Sequence, residues 1–204
     1  AVNVAAILAH DYQQRVLLVD ADSQCNSTEF FGGDPAQGNL ADVLRYQGDD
    51  VGAYAANSIQ PSRFPGVDLL AGDDALMDLD LTRTDGIRAT ALQEMLVHIR
   101  SCWPEEQCYH TILVDCPPAF NAASTAALIA ADDVIVPIKL DAFSLRGMAN
   151  LIRQVDNMRR INPQLRLAGC LPVMWYNSPK IRDAEAALRA SGFPVFPCIR
   201  RTDK

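Results

Sequence analysis

The chain predicts an α/β fold built on a mostly parallel sheet flanked by helices. Three observations carry this expectation. Short runs rich in Val, Ile and Leu alternate with helical stretches along the sequence. The runs are nearly continuous in apolar residues, as in strands buried on both faces. Two of them end in carboxylates, Val16-Leu17-Leu18-Val19 before Asp20-Ala21-Asp22 and Thr111-Ile112-Leu113-Val114 before Asp115. Ligands of open parallel sheets bind beyond such carboxyl ends.

Taken in order, Ala1 to His10 has the Ala and Leu content and spacing of a helix, with no capping residue before it, so the chain reads as opening inside an element. Val16 to Val19 is the first strand and Val67 to Gly72 a further strand candidate. Thr111 to Val114, Asp133 to Ile138 and Leu165 to Val173 continue the strand series, and Phe193 to Phe196 looks like a last extended piece. Helices are expected over Asn39 to Tyr46, Gly86 to Trp103, Ala122 to Ala131, Ser144 to Ile161 and Lys180 to Ser191. No repeat, low-complexity segment or linker divides the chain, so residues 1–204 are read as a single domain.

Composition narrows the function classes. With 204 residues, 49% apolar and 21% charged, the chain can build a core and is not a disordered one. No run of about 18 apolar residues offers a membrane span, and the first residues lack the basic region of a signal peptide. The six cysteines (Cys25, Cys102, Cys108, Cys116, Cys170 and Cys198) form no C-x-x-C pair, which favours reduced, cytosolic thiols. Cys116 and Cys170 lie in or beside apolar runs and are expected to behave as small buried hydrophobes. His10, His98 and His110 are scattered singly and suggest no metal site.

The net charge of −7 hides a strong split. Residues 139–204 hold 12 of the 18 basic residues and five acidic ones, net +7, against 6 basic and 20 acidic, net −14, over residues 1–138. Such asymmetry suggests an anionic partner for the basic part. Along a helix from Ser144 to Ile161, Arg146, Arg153 and Arg160 recur every seven residues and would share a face. Arginines so placed can contact phosphates without reading sequence; a solvated helix face has the same pattern.

An aspartate just past a buried strand can hold Mg²⁺, directly or through water, or polarise an attacking water. It is also a common capping or turn residue. Residue type alone leaves both readings open.

The segments taken together resemble one family. Val16 to Thr28, V-L-L-V-D-A-D-S-Q-C-N-S-T, is similar to the ParA/MinD pattern of an apolar run followed by D-x-D-P-Q-G-N-[AS]-T. Thr111 to Phe120, T-I-L-V-D-C-P-P-A-F, resembles its Walker B strand with double proline, and Val134 to Gly147 its next strand and loop. Asn162 to Met174 looks like its N-P-x-L-x-x-x-G-x-L-x-x-M stretch, and Ala1 to Ala5 like the helix after its phosphate loop. Gln24 and Asn26-Ser27-Thr28 favour the partitioning (ParA/Soj) branch over the cell-division one. Ser23 and Cys25 stand where the pattern has Pro and Gly, which predicts a different loop backbone there.

The resemblance implies a three-layer P-loop NTPase-like fold. It also implies an ATPase that dimerises on ATP, binds DNA non-specifically and hydrolyses ATP slowly under a ParB-like stimulating protein, segregating plasmid or chromosome DNA. ATP and Mg²⁺ are the implied cofactors, the implied location is cytoplasmic and nucleoid-associated, and no membrane is involved. By the same resemblance Asp22 and Asp20 are the catalytic aspartates, with Asp20 supporting the metal and the switch geometry. Asp115 is the metal residue, Met174, Asn177, Pro197, Ile199 and Arg200 face the nucleotide, and Arg146, Arg153, Arg160 and Arg189 face DNA. No K-G-G-x-G-K-[ST] occurs in the sequence. The resemblance therefore leads us to expect a strand and phosphate loop of about fifteen residues before Ala1, in line with typical strand lengths, and a final helix after Lys204. A related ATPase that positions another cellular cargo, and a non-catalytic paralogue acting as a binding module, are the alternatives.

Overall fold

A computed structural model describes residues 1–79 and 86–201, without the side chains of residues 142–149. The chain divides into two compact units, Ala1–Ala130 and Ala131 onward.

In the first unit, helix α1 (Val2–His10) precedes strand β1 (Val16–Asp20), followed by helices α2 (Asn26–Phe31), α3 (Leu40–Arg45) and α4 (Val51–Asn57). Strands β2 (Gln60–Pro61) and β3 (Val67–Leu70), helix α5 (Ala91–Cys102), strand β4 (Thr111–Asp115) and helix α6 (Ala122–Ala130) complete it. The sheet order is β2-β3-β1-β4, with β1 parallel to both neighbours and β2 antiparallel to β3. All five residues of β1 are buried. Its period of two sorts them: Leu17 and Val19 join the core with α3, α4, α5 and α6, while Val16 and Leu18 pack with Ala5, Ala9 and Phe31. Burying each such Leu or Val contributes about 1.5–3 kcal/mol. Ala5 and Ala9, one turn apart, turn the small side of α1 to this cluster and leave Val4 and Ile7 exposed.

The second unit holds strand β5 (Asp133–Lys139), helix α7 (Ala142–Met158), strand β6 (Arg166–Val173) and helix α8 (Pro179–Ala190). Strands β5 and β6 pair in parallel. Val136, Ile138, Leu140, Ile152, Cys170 and Leu188 form the core. Val195 bridges Cys170, which gives the expected last extended piece a partner.

Several expectations change. Helix α5 starts at Ala91 and not at Gly86, whose φ of +76° is left-handed. Helix α7 ends at Met158, and Arg160 lies in the turn beyond it, because the chain runs into Asn162-Pro163 and a residue before proline leaves the helical region. Strands β4 and β5 are not buried on both faces: β4 is half-buried throughout, and β5 alternates, with Ile135 exposed and Val136 and Ile138 buried. Each has a strand partner on one side only among the described residues. Cys170 is buried, whereas Cys116 is exposed, since it follows the half-buried β4.

Candidate functional site

Parallel register brings the two strand-end carboxylates together: Asp20 pairs with Asp115 as the last rung between β1 and β4. The backbone then ties the next residue across, as the Ala21 N–H donates to the Asp115 carbonyl at 2.8 Å. The apolar runs thus place Asp20 and Asp115 side by side, and Asp22 begins the loop that follows.

Asp20 is fully buried and its oxygens are engaged within the chain. Its Oδ2 accepts from the Thr28 N–H and the Thr28 hydroxyl, both at 2.7 Å, and its Oδ1 accepts from the Asp22 N–H at 3.3 Å. The Thr28 hydroxyl in turn accepts from the Gly72 N–H at 2.8 Å. A side chain at Gly72 would meet the Asp20 carbonyl at 3.0 Å, so the close approach of this segment favours glycine. Burial pushes the Asp20 carboxyl above its ordinary value; hydrogen bonds from Thr28 and Asp22 oppose the rise, and the Asp115 charge adds to it.

Asp22 is half-buried and holds its own loop, its Oδ1 accepting from the Gln24 N–H at 3.1 Å. Asp115 is half-buried, and its Oδ2 accepts from the Ser27 hydroxyl at 2.5 Å. Cys25, where the family pattern has glycine, sits at φ +53° as the residue before α2. Burial first, then the carboxylates of Asp20, Asp73, Asp74 and Asp22, push its thiol up to about 11, so it is a protonated, unreactive group at neutral pH. A left-handed non-glycine residue costs roughly 1–2 kcal/mol, against about 0.5–1 kcal/mol of extra chain entropy for glycine. Cys25→Gly is therefore expected to stabilise the fold by about 0.5–1 kcal/mol, read from the urea midpoint; a destabilised variant would mean that the thiol packing outweighs the strain.

Among the described residues no three Asp, Glu, His or Cys side chains converge to hold a metal ion alone. Mg²⁺ keeps several waters and takes one or two carboxylates plus phosphate oxygens, so it needs no such cluster. Asp115, half-exposed at its strand end, suits that duty, whereas Asp20, occupied by Thr28, suits a supporting one.

Sequence-predicted nucleotide residues cluster at the ends of β6 and of the last extended piece. Met174 is left-handed, at φ +56°, and half-exposed. The Trp175 N–H donates to the Ile199 carbonyl, and the Arg201 N–H to the Trp175 carbonyl, each at 2.9 Å. A recess of about 230 Å³ opens there, lined by Lys139, Met174, Trp175, Tyr176, Ile181 and Arg201 among others. Of the predicted set only Met174 lines it; Asn177, Pro197, Ile199 and Arg200 do not. Trp175 and Tyr176, inside the Met174 to Ser178 stretch that the resemblance turns toward the nucleotide, line the recess as well. The Trp175 indole N–H donates to Glu185 at 2.9 Å, and Arg200 lies 5.6 Å from its ring centre.

The arginines expected to face DNA fare unevenly. Arg153 and Arg160 are exposed, the first on α7 and the second past its end. The side chain of Arg146 lies outside the described residues. Arg189 is engaged with Glu185, at 2.9 Å, and that pairing holds the Glu185 carboxyl below its ordinary range.

Comparison with known proteins shows which chains this one is similar to. A family model described as an AAA domain matches residues 1–167. The chromosome partitioning protein ParA of Caulobacter vibrioides is 32% identical over 180 residues, which cover 86% of this chain and 63% of that protein. The chromosome-partitioning ATPase Soj of Thermus thermophilus is 32% identical over 199 residues, covering 96% of this chain and 72% of Soj. Among solved structures, cobyrinic acid a,c-diamide synthase from Mycobacterium smegmatis, with bound ATP analog and magnesium, superposes with a TM-score of 0.81 at 27% identity, covering 98% of this chain and 78% of that one. The chain thus spans under two thirds of the Caulobacter relative.

Proposed function

The chain belongs to the ParA/Soj family of partitioning ATPases, and we propose that the protein it comes from hydrolyses ATP with Mg²⁺, dimerises on ATP and binds DNA non-specifically to segregate plasmid or chromosome DNA. The observation that carries this reading is the register of Asp20 against Asp115, with Asp22 opening the adjacent loop. In it, Asp115 would help hold Mg²⁺, and Asp22 would orient the water that attacks the terminal phosphate. Asp20, through Thr28, fixes the loop that carries Asp22. Bound Mg²⁺ supplies charge neutralisation on the phosphates. Arg146, Arg153 and Arg160 face DNA phosphates. A cytoplasmic, nucleoid-associated protein answering to a ParB-like partner follows from the same reading. No helix among the described residues is long and apolar enough to cross a membrane.

The test uses the protein encoded by the complete reading frame. Slow ATP turnover that rises with DNA and with the neighbouring gene's product is expected, and its absence defeats the ATPase reading. Reversing Arg153 and Arg160 to Glu should weaken DNA binding at low salt and lower the slope of log affinity against log salt by about 2, with ATP binding retained. Unchanged affinity would remove these residues from the interface.

A further inference from the structure

One buried contact at the strand ends has no part in the roles above. Ser27 is almost wholly buried, and its hydroxyl donates to Asp115 Oδ2 at 2.5 Å. The next residue, Thr28, holds Asp20 by both its N–H and its hydroxyl at 2.7 Å. Two consecutive side chains on the first turn of α2 therefore grip the ends of two adjacent strands, Ser27 on β4 and Thr28 on β1. The loop carrying Asp22 runs between these grips, anchored at Asp20 on one side and at Ser27 and Thr28 on the other.

We infer that Ser27 is a positioning residue for Asp115: its hydroxyl fixes the orientation of that carboxylate and couples it to the loop bearing Asp22. The inference rests on the ATPase reading of the site. A hydroxyl donating to a carboxylate makes one of the short, charge-assisted bonds, roughly twice as strong as a neutral one. Asp115 is only half-buried, so without this bond its side chain is freer to turn, and ordering it on metal binding would cost affinity. An ionised carboxylate has about four acceptor positions, so one bond from Ser27 leaves others for a metal-bound water. Because Ser27 and Asp22 lie on one short segment, a shift of the loop must either carry Asp115 with it or break this bond.

Ser27→Ala and Ser27→Thr are to be compared with the parent in the protein encoded by the complete reading frame. Ala should raise the Mg²⁺ concentration for half-maximal ATP turnover about 3- to 10-fold, with kcat at saturating Mg²⁺ within about twofold of the parent, and Thr should restore the parent value. A loss of kcat without a shift in Mg²⁺ dependence, or a shift that Thr does not rescue, overturns the inference. A second readout needs no nucleotide. Hydrogen exchange at the amides of Asp115 and Cys116 should rise together with that of Ser23 to Thr28 in Ser27→Ala, and unchanged exchange at Asp115 overturns the coupling. A parent without Mg²⁺-dependent turnover defeats the ATPase reading, and the exchange measurement then still decides whether Ser27 holds Asp115.

Discussion

Thr28→Val should lower the unfolding free energy by about 3–5 kcal/mol, the largest stability effect expected at the site. Valine keeps the volume and removes only the hydroxyl, yet that hydroxyl serves two buried partners. It donates to Asp20 Oδ2 at 2.7 Å and accepts from the Gly72 N–H at 2.8 Å. Losing a bond to a charged acceptor costs about 1.5–3 kcal/mol, and the orphaned N–H a further 1–3 kcal/mol or so. Thr28→Ser, which keeps both bonds and loses one methyl, should cost only about 1 kcal/mol.

The penalty also has a pH signature whose sign is fixed by Asp20. Burial raises this carboxyl above its ordinary 3.8 against the opposing bonds from Thr28. A carboxyl raised on folding holds its proton more tightly in the folded chain, so its contribution is fully present below the unfolded value and is lost as pH rises through the folded value. Removing the Thr28 hydroxyl removes a bond that favoured the charged form, so Asp20 rises further. The gap between Thr28→Val and the parent should therefore be smaller at pH 4.5 than at pH 7.5 in urea unfolding. A gap that stays constant would show that Asp20 does not sense Thr28.

How far the sequence revealed this site depends on which interactions are local. The strands were legible because β1 and β4 are near-continuous apolar runs, and the Asp20–Asp115 rung follows from two such runs ending in aspartate. The grip of α2 was not, because Ser27 meets Asp115 across 88 positions and a hydroxyl on the first turn of a helix looks like any other. Helix α4 went unread because Gly52 weakens its local pattern. Its glycine is explained by packing alone, since a Cβ there would lie 2.8 Å from the Glu94 carbonyl on α5. Likewise, the half-burial of β4 and the alternation of β5 depend on which strands stand beside them, which apolar content does not encode. The arginine stripe was drawn one turn too long because the break before Pro163 acts over several residues.

Asp22→Ala should lower ATP turnover by about 10²–10⁴-fold in the protein encoded by the complete reading frame, with ATP binding and ATP-dependent dimerisation retained. Asp22 carries a charge and also shapes its own loop, and the two duties are separable. Its Oδ1 accepts from the exposed Gln24 N–H at 3.1 Å, a bond worth about 1 kcal/mol or less, so its loss should leave the fold intact. Asp22→Asn distinguishes the two duties, because the amide oxygen can still accept from Gln24 while the carboxylate that would orient the attacking water is gone. If the charge matters, Asn and Ala are equally slow in single-turnover hydrolysis, and both accumulate as the ATP-bound dimer in sedimentation. If loop shape matters, Asn recovers most of the rate and only Ala is slow. Turnover within about tenfold of the parent in both variants would move the catalytic role away from Asp22 altogether.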